Sequence, residues 1–231
     1  SEMCIRDRKY TKDYFVVPEE HIVVMKADSI TLYTMDGTVV EPKMLHVDWD
    51  TTAAQKGGYD FFMQKEIYDQ PEALHNTIMP RIHNGHADFS ADNISDDIFK
   101  GVNRVIVTAC GTAWHAGLVG RHLIEAMIRI PVTVELASEF RYMNPILDEH
   151  TLVVVITQSG ETADSLAALR LANERGAKTI SIVNVKGSSI ARESDYVLYT
   201  HAGPEIAVAS TKAFSVPVSY THLRAHETLR H

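Results

Sequence analysis

The chain lacks any apolar run of the roughly 18 residues that a membrane span requires. Its N-terminus, SEMCIRDR, also lacks the apolar core of a secretory signal. Cysteine is scarce: only Cys4 and Cys110 occur in 231 residues. Two such distant cysteines give no disulfide framework and no metal spacing. They fit a reducing compartment, so the cytoplasm is the expected location. Positive charge is scarce too: 22 Lys and Arg against 30 Asp and Glu leave a formal net charge of −8. With no basic run, nucleic acid is disfavoured as the main partner. The 12 histidines form no HExxH-type cluster, so no metal is expected. Two phosphate motifs are missing as well. The turn after the first buried strand reads Ala109-Cys110-Gly111-Thr112-Ala113-Trp114, not GxGxxG, and no GxxxxGK[ST] occurs. Dinucleotide and nucleoside-triphosphate chemistry are thereby disfavoured.

What is present is a globular composition, 45% apolar and 23% charged, enough for a core. The most informative stretch is Thr157-Gln158-Ser159-Gly160-Glu161-Thr162. It follows the apolar run Leu152–Ile156, which reads as a buried parallel strand. It precedes a helical pattern from Ala163 to Arg175, with Leu166, Leu169 and Ala172 at helical spacing and Gly176 as its stop. Ligands of open α/β sheets bind at such strand-to-helix turns. Backbone N–H groups, a helix dipole and neutral donors suit a phosphate. Two further hydroxyl-bearing turns belong with it. Val105-Ile106-Val107 runs into Ala109-Cys110-Gly111-Thr112-Ala113 and then a helix from about Trp114 to Ile128. Val208-Ala209-Ser210-Thr211-Lys212 follows Gly203-Pro204 and opens another helix.

Strands are expected at Arg104–Ala109, Val132–Leu136, Thr151–Ile156, Thr179–Val183 and Tyr196–Tyr199. Alternation with helices predicts an α/β fold, a five-stranded parallel sheet with helices on both faces. A β-rich piece precedes it: Ser29–Thr34 alternates, Met35-Asp36-Gly37-Thr38 turns, and Val39-Val40 returns. Between them, Thr51–Tyr59 reads as linker. Phe61–Thr77 reads as helix, interrupted at Pro71.

Several of these segments resemble one family in the same order. Cys110-Gly111-Thr112, Glu135-Leu136-Ala137-Ser138-Glu139-Phe140-Arg141-Tyr142, the Gln158-Ser159 turn and Val208-Ala209-Ser210-Thr211-Lys212-Ala213-Phe214 resemble the first sugar-isomerase (SIS) domain of the glutamine–fructose-6-phosphate aminotransferases. Lys65-Glu66-Ile67-Tyr68-Asp69-Gln70-Pro71 is similar to the segment preceding that domain. The resemblance implies a division into the end of a glutaminase domain at 9–50, a linker with a helix at 51–92 and the SIS domain at 93–215; the ends at 1–8 and 216–231 read as non-native tails, the first for want of any helical or strand period and the second because it breaks off where the family continues a helix. It implies fructose 6-phosphate or glucosamine 6-phosphate as ligand, with no cofactor. It implies Cys110, Gly111, Thr112, Thr157, Gln158, Ser159, Thr162, Val208 and Ser210 as substrate-binding residues. It further implies a homodimeric full-length parent carrying a complete glutaminase domain and a second SIS domain. The family's base, ring-opening histidine and imine lysine lie in that second domain or the tail beyond it. No catalytic residue is therefore assigned here, and the chain alone is expected to be inactive.

Each motif has a plainer reading. Thr162 and Ser210 suit helix caps, Cys110 a small buried thiol, and Lys212 a salt-bridged helix residue. Thr157 stands where the family usually has serine, and Ala113 lacks a hydroxyl that the family often has. The alternatives are a SIS-domain sugar-phosphate sensor or another phosphosugar isomerase. The acidic chain disfavours the first; Lys65–Pro71 and the preceding hairpin disfavour the second.

Overall fold

The computed structural model describes residues 13–46 and 55–227. The expected N-terminal tail at 1–8, Cys4 and the start of the linker at 51–54 lie outside the described residues. The chain divides into two units, residues 1–55 and 56–231.

The first unit is antiparallel. Strand β1 (Asp13–Tyr14) pairs with β5 (Leu45–His46), while β2 (His21–Met25), β3 (Ile30–Thr34) and β4 (Val39–Val40) form a three-stranded sheet in that order. The turn between β3 and β4 is the expected Asp36-Gly37. The Gly37 N–H donates to the Thr34 carbonyl at 3.0 Å, and the Thr38 N–H to the Asp36 carboxylate at 3.2 Å.

The second unit opens with helices α1 (Phe62–Tyr68) and α2 (Gln70–Ile78). They meet at Asp69, where Pro71 occupies the first turn of α2. The missing N–H does no harm there, because first-turn donors have no intrahelical partner. A short hairpin follows, β6 (Ile82–His83) and β7 (His86–Ala87). The rest alternates: β8 (Arg104–Ala109), α3 (Gly111–Ile128), β9 (Val132–Leu136), α4 (Ala137–Phe140), β10 (Thr151–Thr157), α5 (Ala163–Glu174), β11 (Lys178–Val183), α6 (Ser189–Glu193), β12 (Tyr196–Tyr199) and α7 (Lys212–Glu227).

The five strands β12-β11-β10-β8-β9 pair in parallel throughout. Strand side chains alternate between faces, and the two faces build two cores. Val105, Val107, Leu152, Ile156 and Ile182 pack toward α3 and Tyr220 of α7. Ile106, Val153 and Val155 pack toward Phe140 of α4, Leu169 of α5 and Ile190 of α6. Because both faces are covered, the strands read as continuous apolar runs rather than alternating ones.

The chain from Lys56 onward belongs to the second unit. Ala73 of α2 is buried with Ala202 and Val216. Helix α7 continues to Glu227 with Pro217 in its interior. Val216 and Tyr220, one turn apart and so on one face, are almost fully buried, and the Tyr220 hydroxyl donates to the Tyr199 carbonyl.

Candidate functional site

The site follows from strand order. After β8 the chain moves outward to β9, and after β10 it moves the other way to β11 and β12. The carboxyl ends of β8 and β10 therefore flank the switch point, where the two connections diverge and leave a crevice.

At the end of β10 the turn is held by its own side chains. The Thr157 hydroxyl accepts the Gly160 N–H at 3.2 Å, and the Ser159 hydroxyl accepts the Glu161 N–H at 3.2 Å. The outer side is pinned to the next crossover: the Gln158 carbonyl accepts the Asn184 N–H, the Gly160 carbonyl accepts that of Ile190, and the Glu161 carboxylate accepts that of Ser189. Gly160 sits at φ +69°, and a Cβ there would lie 2.0 Å from Ser188 Oγ. Only glycine fits that packing and that backbone. Helix α5 then begins with Thr162 as its cap residue, but the Thr162 side chain makes no capping bond. The plainer reading of Thr162 as a side-chain cap is thus not what the structure shows.

At the end of β8, α3 begins at Gly111, earlier than the expected Trp114. Cys110 lies beside Ser165 of α5, with its sulfur 3.8 Å from the Ser165 hydroxyl. The third turn lies between β12 and α7. Because α7 starts only at Lys212, Ser210 belongs to the turn before the helix, where its hydroxyl faces the Glu205 carboxylate at 3.3 Å.

These turns meet. Thr112, Thr157, Gln158, Ser159, Thr162 and Ser210 line one pocket of about 200 Å³, with Cys110 at its side. Ala113 also lines it, without a hydroxyl to offer. Gly111 shapes the turn but does not line the pocket. Val208 departs as well. It is fully exposed and outside the lining, so the structure does not bring it to the site. Sequence reasoning missed Ser165, one helical turn after Thr162; that i,i+3 spacing was the available signal. It also missed Glu205. That carboxylate accepts the N–H groups of Thr211 and Ala213 and so closes the start of α7.

Among the described residues, no carboxylate, imidazole or ammonium group lines the pocket. Its donors are hydroxyls, one amide, and the N-termini of α3 and α5, where backbone N–H groups and the helix dipole favour an anion. Lys212 takes no part. It is almost fully buried, with its ammonium 3.2 Å from Asp69, which also pairs with Lys65 at 2.7 Å. Burial opposes ionisation of Asp69, but the Lys65 hydrogen bond and the Lys212 charge outweigh it and hold the carboxyl below its usual range. A second cavity of about 110 Å³ lies in the core between Phe89, Val105, Leu152 and Tyr220. Its lining is wholly apolar and offers an anion nothing.

Residues 98–226, more than half of the chain, match the family model described as the SIS domain. The chain belongs to the SIS domain family. This SIS chain is 49% identical over 218 residues to glutamine--fructose-6-phosphate aminotransferase (isomerizing) of Clostridium tetani, covering 94% of the chain and 36% of the relative. It is 51% identical over 207 residues to the Streptomyces coelicolor protein of the same name, covering 89% and 34%. The chain thus spans about a third of the length of the curated relatives it matches. Among solved structures, the C-terminal domain of glucosamine-fructose-6-phosphate aminotransferase from Francisella tularensis superimposes with a TM-score of 0.71 at 38% identity, covering 76% of this chain and 49% of that one. A glucosamine-6-phosphate deaminase from Thermotoga maritima, at 24% identity and a TM-score of 0.59, covers 74% and 49% and shares the fold. No helix among the described residues is long and apolar enough to cross a membrane.

Proposed function

We propose that this chain is the sugar-phosphate-binding part of a glutamine–fructose-6-phosphate aminotransferase, which makes glucosamine 6-phosphate from fructose 6-phosphate and glutamine in amino sugar biosynthesis. The observation that carries the reading is the meeting of seven hydroxyl and amide side chains at the switch point of the sheet. The relatives' names supply the substrate.

In this reading the phosphate sits against the Gln158–Thr162 turn and the start of α5. Ser159 and Thr162 donate hydroxyl protons there, and the dipole offsets an overall negative chain. Thr112 and Ser210, from the other two turns, meet the sugar hydroxyls. The chain's own residues bind and orient the substrate. Moving a proton between C1 and C2 needs a positioned acid/base group, and this pocket lining carries none. That group belongs to other segments of the whole protein. The antiparallel unit at 13–46 is the closing edge of a glutaminase domain, which supplies ammonia. The whole protein acts as a cytoplasmic homodimer.

The test is titration calorimetry of the chain with fructose 6-phosphate, set beside Ser159→Ala. One charge-assisted hydrogen bond is worth about 1.5–3 kcal/mol, so affinity should fall roughly tenfold or more. Equal affinities would refute the placement of the phosphate. With fructose 6-phosphate and ammonium, the chain should form no glucosamine 6-phosphate above a protein-free control.

A further inference from the structure

The Lys65–Pro71 segment lies before the matched SIS residues, and nothing in the pocket itself accounts for it. Its contacts do. Glu66 of α1 is almost fully buried, with 2% of its surface exposed. One of its carboxylate oxygens accepts the N–H groups of Ile206 and Ala207 at 2.6 and 3.1 Å. These residues lie in the connection between β12 and α7 that brings Ser210 to the pocket.

That connection has an unusual way of being held. Among the described residues, no backbone-to-backbone bond outside the regular elements is donated by residues 201–211. Side chains take the N–H groups instead. Thr77 accepts that of His201, Asn184 that of Ala202, Glu66 those of Ile206 and Ala207, and Glu205 that of Thr211. Among these, Glu66 anchors the middle of the span from outside it. Burying a carboxylate is costly unless donors meet it, and here the donors are the segment's own amides. The second Glu66 oxygen is buried and has no hydrogen-bond partner. The side chain's hydrogen bonding is thus committed to that one contact. Around it, Asp69 pairs with Lys212, and the Ser215 hydroxyl donates to Gln70 at 2.5 Å, so the α1–α2 segment also grips the start of α7, where the same connection ends.

We infer that Glu66 is a positioning residue for the ligand pocket: its carboxylate fixes the Ile206–Ala207 backbone and thereby sets Ser210 against the other two turns. The inference rests on the proposed sugar-phosphate site for its ligand, but not for its structural half. The third wall of the pocket is then built from outside the matched SIS residues, and a protein cut at residue 98 would lose it.

The experiment uses the whole chain and two readouts. Hydrogen exchange at the Ile206 and Ala207 amides reports the anchor without any ligand. Calorimetry with fructose 6-phosphate reports the pocket. Glu66→Ala should speed exchange at those two amides roughly tenfold or more, leave the β8 and β10 amides unchanged, and weaken binding roughly tenfold. Glu66→Gln keeps an acceptor oxygen and should retain amide protection and most of the affinity. A merely destabilised fold would instead speed exchange throughout the sheet and overturn the specific role. Because the effect passes through Ser210, Glu66→Ala should cost little further affinity in a Ser210→Ala background. Unchanged exchange in Glu66→Ala overturns the anchor. Lost protection with unchanged affinity, or full additivity with Ser210→Ala, overturns its role in the pocket. If the wild-type chain binds no fructose 6-phosphate, the proposed function falls, and the exchange result alone decides the anchor.

Discussion

Replacing Gly160 by alanine should be among the most damaging single-methyl changes in this protein, and the structure allows its cost to be split. The first part is backbone strain. Gly160 has φ +69°. An L-residue held in that left-handed region costs about 1–2 kcal/mol. The second part is collision. The new Cβ would lie 2.0 Å from Ser188 Oγ, 2.4 Å from Ser188 Cβ and 2.9 Å from Val183 Cγ2, so neither rotation of the serine nor a small shift relieves it. Overpacking of this kind costs about 1–3 kcal/mol. Gly176 provides the control. It has φ +77° and nothing within 4 Å of an added methyl, so Gly176→Ala carries strain without collision. Urea unfolding followed by circular dichroism should place Gly160→Ala about 1–3 kcal/mol below Gly176→Ala. Ser188→Gly removes both close atoms. The Ser188 hydroxyl is buried with no hydrogen-bond partner, so little is lost with it. A double-mutant cycle between Gly160→Ala and Ser188→Gly should therefore show a favourable coupling of about 1 kcal/mol or more. Equal costs for the two alanine variants, with no coupling to Ser188, would refute the account of why this turn contains glycine.

The Asp69–Lys212 pair should be asymmetric under mutation. Asp69→Asn leaves a buried ammonium without its carboxylate and should cost about 3 kcal/mol. Lys212→Met leaves Asp69 paired with Lys65 and should cost about 1 kcal/mol or less; the order of the two urea midpoints decides it. The same carboxyl predicts an acid limb. Its folded pKa lies below the ordinary value of 3.8. Its contribution is therefore intact above that pH and is lost as pH falls through the folded value. Asp69→Asn should then show a shallower loss of melting temperature than wild type between about pH 5 and pH 2; parallel curves would contradict the assignment.

The sheet and two of the three turns were legible because their causes are local. Val105–Val107 and Leu152–Ile156 are short apolar runs, each followed by hydroxyls and a glycine, and burial on both faces leaves few other ways to read them. The β6–β7 hairpin was missed although its turn is Asn84-Gly85, a strong hairpin signal. Both turn residues have positive φ, 54° and 78°. Its strands are two residues long and contain histidines, so no alternation announces them. The role of Glu66 was out of reach for a different reason: its partners are 140 and 141 residues away, and no local pattern encodes that distance. Residues 216–231 were set aside as a non-native tail because they break off where the family continues a helix; among them Val216 and Tyr220 are nonetheless almost fully buried. Val208 was expected from the family resemblance, but nearby residues in a turn need not face the same way, and of the two only Ser210 lines the pocket.

The neutrality of the pocket lining has a consequence for any phosphorylated ligand. Hydroxyls, an amide and helix N-termini do not change charge between about pH 5 and pH 7, so the site presents the same donors across that range. The proton that matters is then the ligand's own. A phosphate monoester loses its second proton near about pH 6, and donors aimed at an anion hold the dianion better than the monoanion. Affinity should rise through that ionisation and then level off, tracing the titration of the sugar phosphate rather than that of the protein.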